Sequence, residues 1–379
     1  MKRETLLLLV TVMILSSVGL VLVFSASPAY TSVTGKDESK DMFHFLSRQV
    51  IFLALGFAGM LALSRIDYHV WGRRWAYTPV VVISLALLVI VLVIGAEINN
   101  SRRWIALPIG TLQPSELAKF ALIIFLAAKL AENQRDIASF RRGFIPPVFY
   151  IALFAGLVVL EEDLSTPMVI ACSGMLLVGM AGARWSHLFL SACGGSAMVV
   201  FLCLTSPERV RRLMAFRDPW GDRFNDGMQL VQSLSGFARG GVWGQGVGAG
   251  EQKLFYLHAA NNDFIFSVWG EEMGLLGTLS LVALFALFLI VGTRVALCAP
   301  DLLGALLASG VVAMIAMQAG INMGVTTGLL PTTGLPLPFI SAGGSALIVN
   351  LAMVGLLLNV AQQASEPEPK GHRLAAARA

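Results

Sequence analysis

The sequence predicts an all-α integral membrane protein of about ten transmembrane helices, with a large extracytoplasmic loop and a re-entrant Pro/Gly-rich segment before the last helix. Three observations predict it. Of the 379 residues, 56% are hydrophobic and 13% are charged, where a soluble domain carries roughly 25% charged residues. Apolar runs close to the ~20 residues that a bilayer requires recur along the chain. The region 326–350 is equally apolar but is interrupted by Pro331, Pro336, Pro338 and the pair Gly343 and Gly344, which no continuous helix accommodates.

Taken in order, the apolar runs are 5–24, 47–64, 76–95, 114–131, 144–160, 166–182, 186–204, 264–292, 302–324 and 344–362. The first is longer than the apolar core of a signal peptide, so it is read as an uncleaved helix even though Ser25, Ala26 and Ser27 follow it. Short loops on one side carry Arg65, Arg73, Arg74, Arg135, Arg141, Arg142, Arg184 and Arg294, and Lys2 and Arg3 precede the first run. The positive-inside rule puts these loops and both termini in the cytoplasm, with the chain multi-pass in the cytoplasmic (inner) membrane. Loops 25–46, 96–113 and 205–263 then face outward. Residues 1–362 read as a single polytopic domain, and the polar tail 363–379 as disordered.

Composition excludes several other classes. A net charge of +4 makes no case for nucleic acid. Cys172, Cys193, Cys203 and Cys298 lie in or beside apolar runs, which argues against a disulfide framework. His44, His69, His187, His258 and His372 form no cluster with metal-ligand spacing.

The chemistry-bearing residues concentrate on the outer side. Glycines 240, 241, 244, 246, 248 and 250 allow tight turns that can aim several N–H groups at one anion. Asp263 follows, directly before an apolar run. It can cap that helix, or, partly desolvated, act as a base. Arg102 and Arg103 sit in a short outer loop, and Lys253 in the large one, where basic groups suit phosphates or lipid headgroups. Glu116 and Lys119, three apart after the helix-starting Pro114, share a helix face; such charges in a membrane helix should pair and face inward. Glu161, Glu162 and Asp163 mark a helix break, with Asp163 able to cap the restart. Ser341 and Gly344 stand where the broken 326–350 stretch ends in a fresh helix N-terminus, a polar or anion-binding place.

These stretches, in this order, resemble the SEDS family of cell-wall proteins, which comprises the division protein FtsW, the elongation protein RodA and the sporulation protein SpoVE. The resemblance covers nearly the whole chain. It rests on Arg48-Gln49, SRRWI at 101–105, QPSELAK at 113–119, DLSTPMV at 163–169, RLMAFRDPWGD at 212–222, NDFIFSVWGEEMG at 262–274 and INMGVTTGLLPTTGLPLPFISAGGS at 321–345. The family polymerises lipid II into peptidoglycan glycan strands at the outer face of the membrane. It works with a single-span class B penicillin-binding protein and with other divisome or elongasome membrane proteins. The resemblance implies that Asp263 is the essential acid and that Arg48, Arg103, Glu116 and Lys119 line the substrate groove. It implies no firm cofactor; magnesium or manganese can share the neutralisation of a diphosphate, although the sequence offers no carboxylate cluster to hold one.

The chain departs from the family pattern at His258, Ala259 and Asn262 before the acid, at Ala342, and at Ser165. The run Arg102-Arg103-Trp104 leans toward FtsW, and the short N-terminus leans away. A lipid II flippase remains the rival reading, because broken helices and intramembrane charges also serve transporters. A non-catalytic scaffold of the cell-wall machinery is the third.

Overall fold

The structure, a computed structural model, describes residues 2–34, 38–98, 101–107, 110–250 and 263–364. Lys253, the three departures before Asp263, and the tail from 365 onward lie outside the described residues.

Helices α1 (Lys2–Thr34), α2 (Glu38–Arg65) and α3 (Arg74–Ile94) open the chain, with a 3₁₀ turn, Tyr68–Gly72, between the last two. A small antiparallel sheet follows, made of β1 (Ala96–Ile98), β2 (Ser101–Leu107) and β3 (Gly110–Leu112). Next come α4 (Pro114–Glu132), α5 (Ile145–Val159), α6 (Ser165–Met180) and α7 (Trp185–Leu204). The described part of the large loop contains α8 (Pro207–Arg217) and α9 (Met228–Gly240). Helices α10 (Ile265–Leu297), α11 (Leu302–Thr326) and α12 (Gly344–Gln363) complete the chain.

Among the described residues, eight helices are long and apolar enough to cross a membrane. The apolar helix α6 is shorter, and α4 carries Glu116, Lys119, Lys129 and Glu132 yet is buried along nearly its whole length. Together they account for the ten apolar runs. Pro114 starts α4, where its missing N–H costs nothing. Helix α4 packs against α3, α5, α6 and α11, which makes it the centre of the bundle. Helix α12 lies along α2, and a Cβ on Gly355 would run into the Met60 backbone, so glycine sets that close approach.

Two features differ from the sequence reading. The outer loop 96–113 contains strands, because hairpin pairing (Ile98 opposite Ser101, Leu107 opposite Gly110) satisfies its backbone. The apolar run from 264 is not one straight helix: α10 kinks at Gly274, whose φ is +66°. Helix directions put Lys2 and Gln363 at the end of the bundle opposite Asp263. At that end Tyr68 N–H donates to Asn359 Oδ1 at 2.8 Å, and Tyr68 O–H to Asp301 Oδ1 at 3.1 Å.

Candidate active site

The non-helical stretch 331–343 forms the floor of the site. Its Leu335, Leu337, Phe339 and Ile340 are buried, so its backbone needs internal partners. Two polar residues one turn apart on α11 supply them. Gln318 Nε2 donates to Pro336 O at 3.0 Å, and Asn322 Nδ2 donates to Leu335 O at 2.8 Å. Ser341 Oγ accepts from Leu337 N–H at 2.8 Å and closes the turn. Ser341 thus supports the segment's own backbone.

Asp263 stands above this floor. Helix α10 is capped by Phe264 without any side-chain hydrogen bond, and its ladder begins at the Phe264 carbonyl, 3.0 Å from Ser267 N. The capping role open to Asp263 from sequence is therefore not used. Its Oδ1 is buried and accepts no hydrogen bond among the described residues. Burial pushes the carboxyl up to about 7, the charge of Asp163 adds to the rise, and Arg103 opposes it.

Asp163 is where capping does occur. Its Oδ1 accepts from Ser165 N at 2.9 Å and Thr166 N at 3.3 Å, and its Oδ2 from Thr166 Oγ1 at 2.7 Å. The turn before it is held by Arg103, which donates through Nε to Glu161 O at 3.1 Å and through Nη2 to Glu162 O at 2.7 Å. Nη1 lies 4.0 Å from Asp163 Oδ2. Strand alternation turns Arg103 inward and leaves Arg102 exposed. Arg103 thereby stabilises a strained turn in which Glu162 has φ +64°. Inside that turn Glu161 is 1% exposed, and among the described residues neither of its carboxyl oxygens is hydrogen-bonded. Burial, aided by Asp163 and opposed by Arg103, pushes it up to about 8.

The other candidate residues fall into two groups. Arg48 Nη2 lies 2.9 Å from the Cβ position of Gly110, and its guanidinium 6.0 Å from the Phe52 ring centre. A Cβ on Gly344 would meet the same ring at 2.5 Å, so Gly344 is a packing glycine there. Ser345 Oγ ties α12 to the hairpin by donating to Thr111 O at 2.7 Å. Glu116 and Lys119 differ from the implied groove lining. Lys119 is 0% exposed, and Nζ donates to Glu116 at 2.8 Å and to Gln318 Oε1 at 2.9 Å. All of its donors point into protein, so the pair supports the floor from below.

The glycine-rich stretch also differs from the anion-nest reading. Gly244 N–H donates to Gly240 O, Gln245 N–H to Glu271 O and Gly246 N–H to Glu272 O, at 2.8, 3.1 and 2.9 Å. Leu275 N–H returns a bond to Gly241 O at 2.9 Å. These amides are consumed in joining the loop to the kink of α10. Among the described residues no three His, Cys, Asp or Glu side chains are placed to hold a metal ion. Sequence reasoning read Glu161 only as part of a helix break and passed over Gln318 and Asn322; the signal available was two polar side chains four apart in an apolar helix.

Residues 5–366 match the family of cell cycle proteins FtsW, RodA and SpoVE. The chain belongs to this family. A probable peptidoglycan glycosyltransferase FtsW of Geobacter metallireducens is 42% identical over 361 residues, 95% of each chain. The stage V sporulation protein E of Bacillus subtilis is 40% identical over 94% of this chain and 96% of its own. Among solved structures, a chain from work on the structural coordination of polymerization and crosslinking by a peptidoglycan synthase complex superposes with TM-score 0.76. It is 30% identical, covering 94% of this chain and 96% of that one. Thermus thermophilus rod shape determining protein RodA gives TM-score 0.67 at 29% identity, over 95% and 97%. As a member of the family, the chain is a multi-pass membrane protein of cell-wall synthesis.

Proposed function

We propose that this member is a peptidoglycan glycosyltransferase that polymerises lipid II at the outer face of the cytoplasmic membrane, with both termini cytoplasmic. One observation carries the reading. Asp263 holds a half-buried carboxyl, its Oδ1 without a hydrogen-bond partner among the described residues and its value pushed up by burial to about 7, at the end of the bundle that also carries Arg103 and Arg48. A base with a value near working pH is the most effective kind.

In the proposed reaction the 4-hydroxyl of the acceptor's terminal GlcNAc attacks the anomeric carbon of the donor's MurNAc. The C1–O bond to phosphate breaks, undecaprenyl diphosphate leaves with the bonding pair, and inversion gives a β-1,4 link. Asp263 takes the hydroxyl proton. Arg103 supplies positive charge beside the acid while its donors hold the 161–163 turn. Arg48, less committed to protein carbonyls, is the better placed cation for the diphosphate. Glu116 and Lys119 act by keeping the floor in place. No resident cofactor is part of this reaction, and a magnesium or manganese ion would enter with the diphosphate.

A class B penicillin-binding protein is the proposed partner, which the likeness to a chain of a peptidoglycan synthase complex supports. Higher identity to an FtsW and a sporulation protein than to a RodA favours division or sporulation over elongation. Purified protein in lipid nanodiscs and vesicles, given labelled lipid II, separates the readings. Glycan product from wild type and none from Asp263→Asn supports the enzyme. Transbilayer movement without product would establish the flippase, and neither activity the scaffold.

A further inference from the structure

The backbone beneath Asp263 is fixed from one point on α11. Asn322 Nδ2 donates to Asp263 O at 2.8 Å and to Leu335 O at 2.8 Å, so both hydrogens of one amide bridge two separate segments. The α10 ladder starts one residue later, at Phe264 O. The Asp263 carbonyl thus lies outside the helix, and among the described residues Asn322 is the donor it meets. Fixing that carbonyl fixes ψ of Asp263 and limits where its side chain can start.

The second bond acts on the wall facing the acid. Leu335 follows Gly334, whose Cβ position lies 3.6 Å from Asp263 Oδ2. One amide therefore holds both the acid's backbone and the strip of chain beside its carboxyl. Its orientation is determined as well: among the described residues Oδ1 of Asn322 is buried without a partner, and a flipped amide would set oxygen against two carbonyl oxygens. Asn322 is 1% exposed, so its amide is shielded from bulk water. One turn earlier Gln318 repeats the pattern, donating to Pro336 O and accepting from Lys119.

We infer that Asn322 is the positioning residue for Asp263, holding the acid's main chain and the 334–335 strip in one frame so that the carboxyl stays aimed and desolvated. This rests on the reading of Asp263 as the base. Misplacing a reacting group by ~1 Å costs roughly 10²-fold, so the effect belongs in kcat.

The test compares Asn322→Leu with wild type and Asp263→Asn, each purified, in lipid II polymerisation across pH. Asn322→Leu keeps the branched side-chain skeleton and removes both donors. The expected result is kcat lower by about 10- to 100-fold with KM within about twofold, and the acid limb of the pH–rate profile moved about one unit lower as the carboxyl regains water. A merely structural role would lower thermal stability while leaving kcat per folded molecule and the acid limb unchanged, and that result overturns the inference. If Asn322→Leu does not fold, Asn322→Ser, which can serve one carbonyl but not both, carries the same comparison. The two ideas fail differently. Polymerisation by Asp263→Asn at the wild-type rate removes the base itself; an inactive Asp263→Asn beside an unaltered Asn322→Leu removes the positioning alone.

Discussion

Lys119 Nζ lies 2.8 Å from both carboxylate oxygens of Glu116, and neither side chain reaches solvent. Two charges taken out of water repay their desolvation only together and only with further hydrogen bonds. Gln318 supplies the third partner and carries the arrangement on to Pro336 O. The pair is thus a structural strut between α4 and the floor of the site.

Removing one charge should cost far more than removing both. Glu116→Gln or Lys119→Met alone leaves a buried charge unpaired, worth about 3–5 kcal/mol. The double variant Glu116→Gln with Lys119→Met should recover most of that stability in thermal unfolding. Single variants as stable as wild type would show that the two charges do not depend on each other.

At the opposite end, pH should act through His69. Its Nδ1 lies 2.7 Å from Asp67 Oδ1 and its Nε2 3.0 Å from Asp301 Oδ2. The hydrogen bond to Asp67 raises the imidazole above its usual value, and the bonds from His69 and Gln363 lower Asp67 to about 2. A raised histidine contributes fully below ~6.5 and loses its contribution as pH rises through its folded value. Asp67 contributes above its unfolded value of 3.8 and loses that contribution as pH falls toward about 2. The pair is therefore strongest between ~4 and ~6.5. All three side chains are partly exposed, which limits the effect to about 1 kcal/mol or less. Melting temperature should drop between pH 6 and 8 by more in wild type than in His69→Gln; equal slopes would remove His69 from the pH response.

Much of this architecture is legible from residue order. Membrane helices announce themselves through the length of apolar runs, and 5–24 or 344–362 can be read directly. Asp263 and Arg103 are visible because charges are rare in such a chain. What stays hidden depends on contacts between distant segments. No local signal says that Gly244 packs on the α10 kink, that Arg103 spends its donors on the carbonyls of 161 and 162, or that Asn322 reaches Asp263. The fate of Glu161 is hidden for the same reason, since its burial follows from the turn that Arg103 holds.

Gly274 should tolerate no side chain. At φ +66° a Cβ is strained, and here it would also approach Val242 O at 2.6 Å. Gly274→Ala should destabilise by at least about 2 kcal/mol. Gly320, exposed on α11 with open space around it, is the control; Gly320→Ala should be neutral or stabilising by up to ~1 kcal/mol. Thermal unfolding of both variants decides, and a Gly274→Ala protein as stable as Gly320→Ala would contradict the close packing of loop and kink.

The acid limb of polymerisation should respond in opposite directions to the two neighbours of Asp263. The base must be ionised, so the rate should fall about tenfold per pH unit below about 7. Asp163 raises the carboxyl and Arg103 lowers it. Asp163→Asn keeps an oxygen for the Ser165 and Thr166 amides, since Asn caps as well as Asp, and it deletes the repelling charge. Its acid limb should move to lower pH. Arg103→Gln deletes the attracting charge and should move the limb to higher pH, with additional loss of rate because the 161–163 turn loses its fork. Structural damage alone would lower the rate of both without separating the limbs. Shifts in the same direction, or none, would mean that the titrating group is not a carboxylate lying between these two charges.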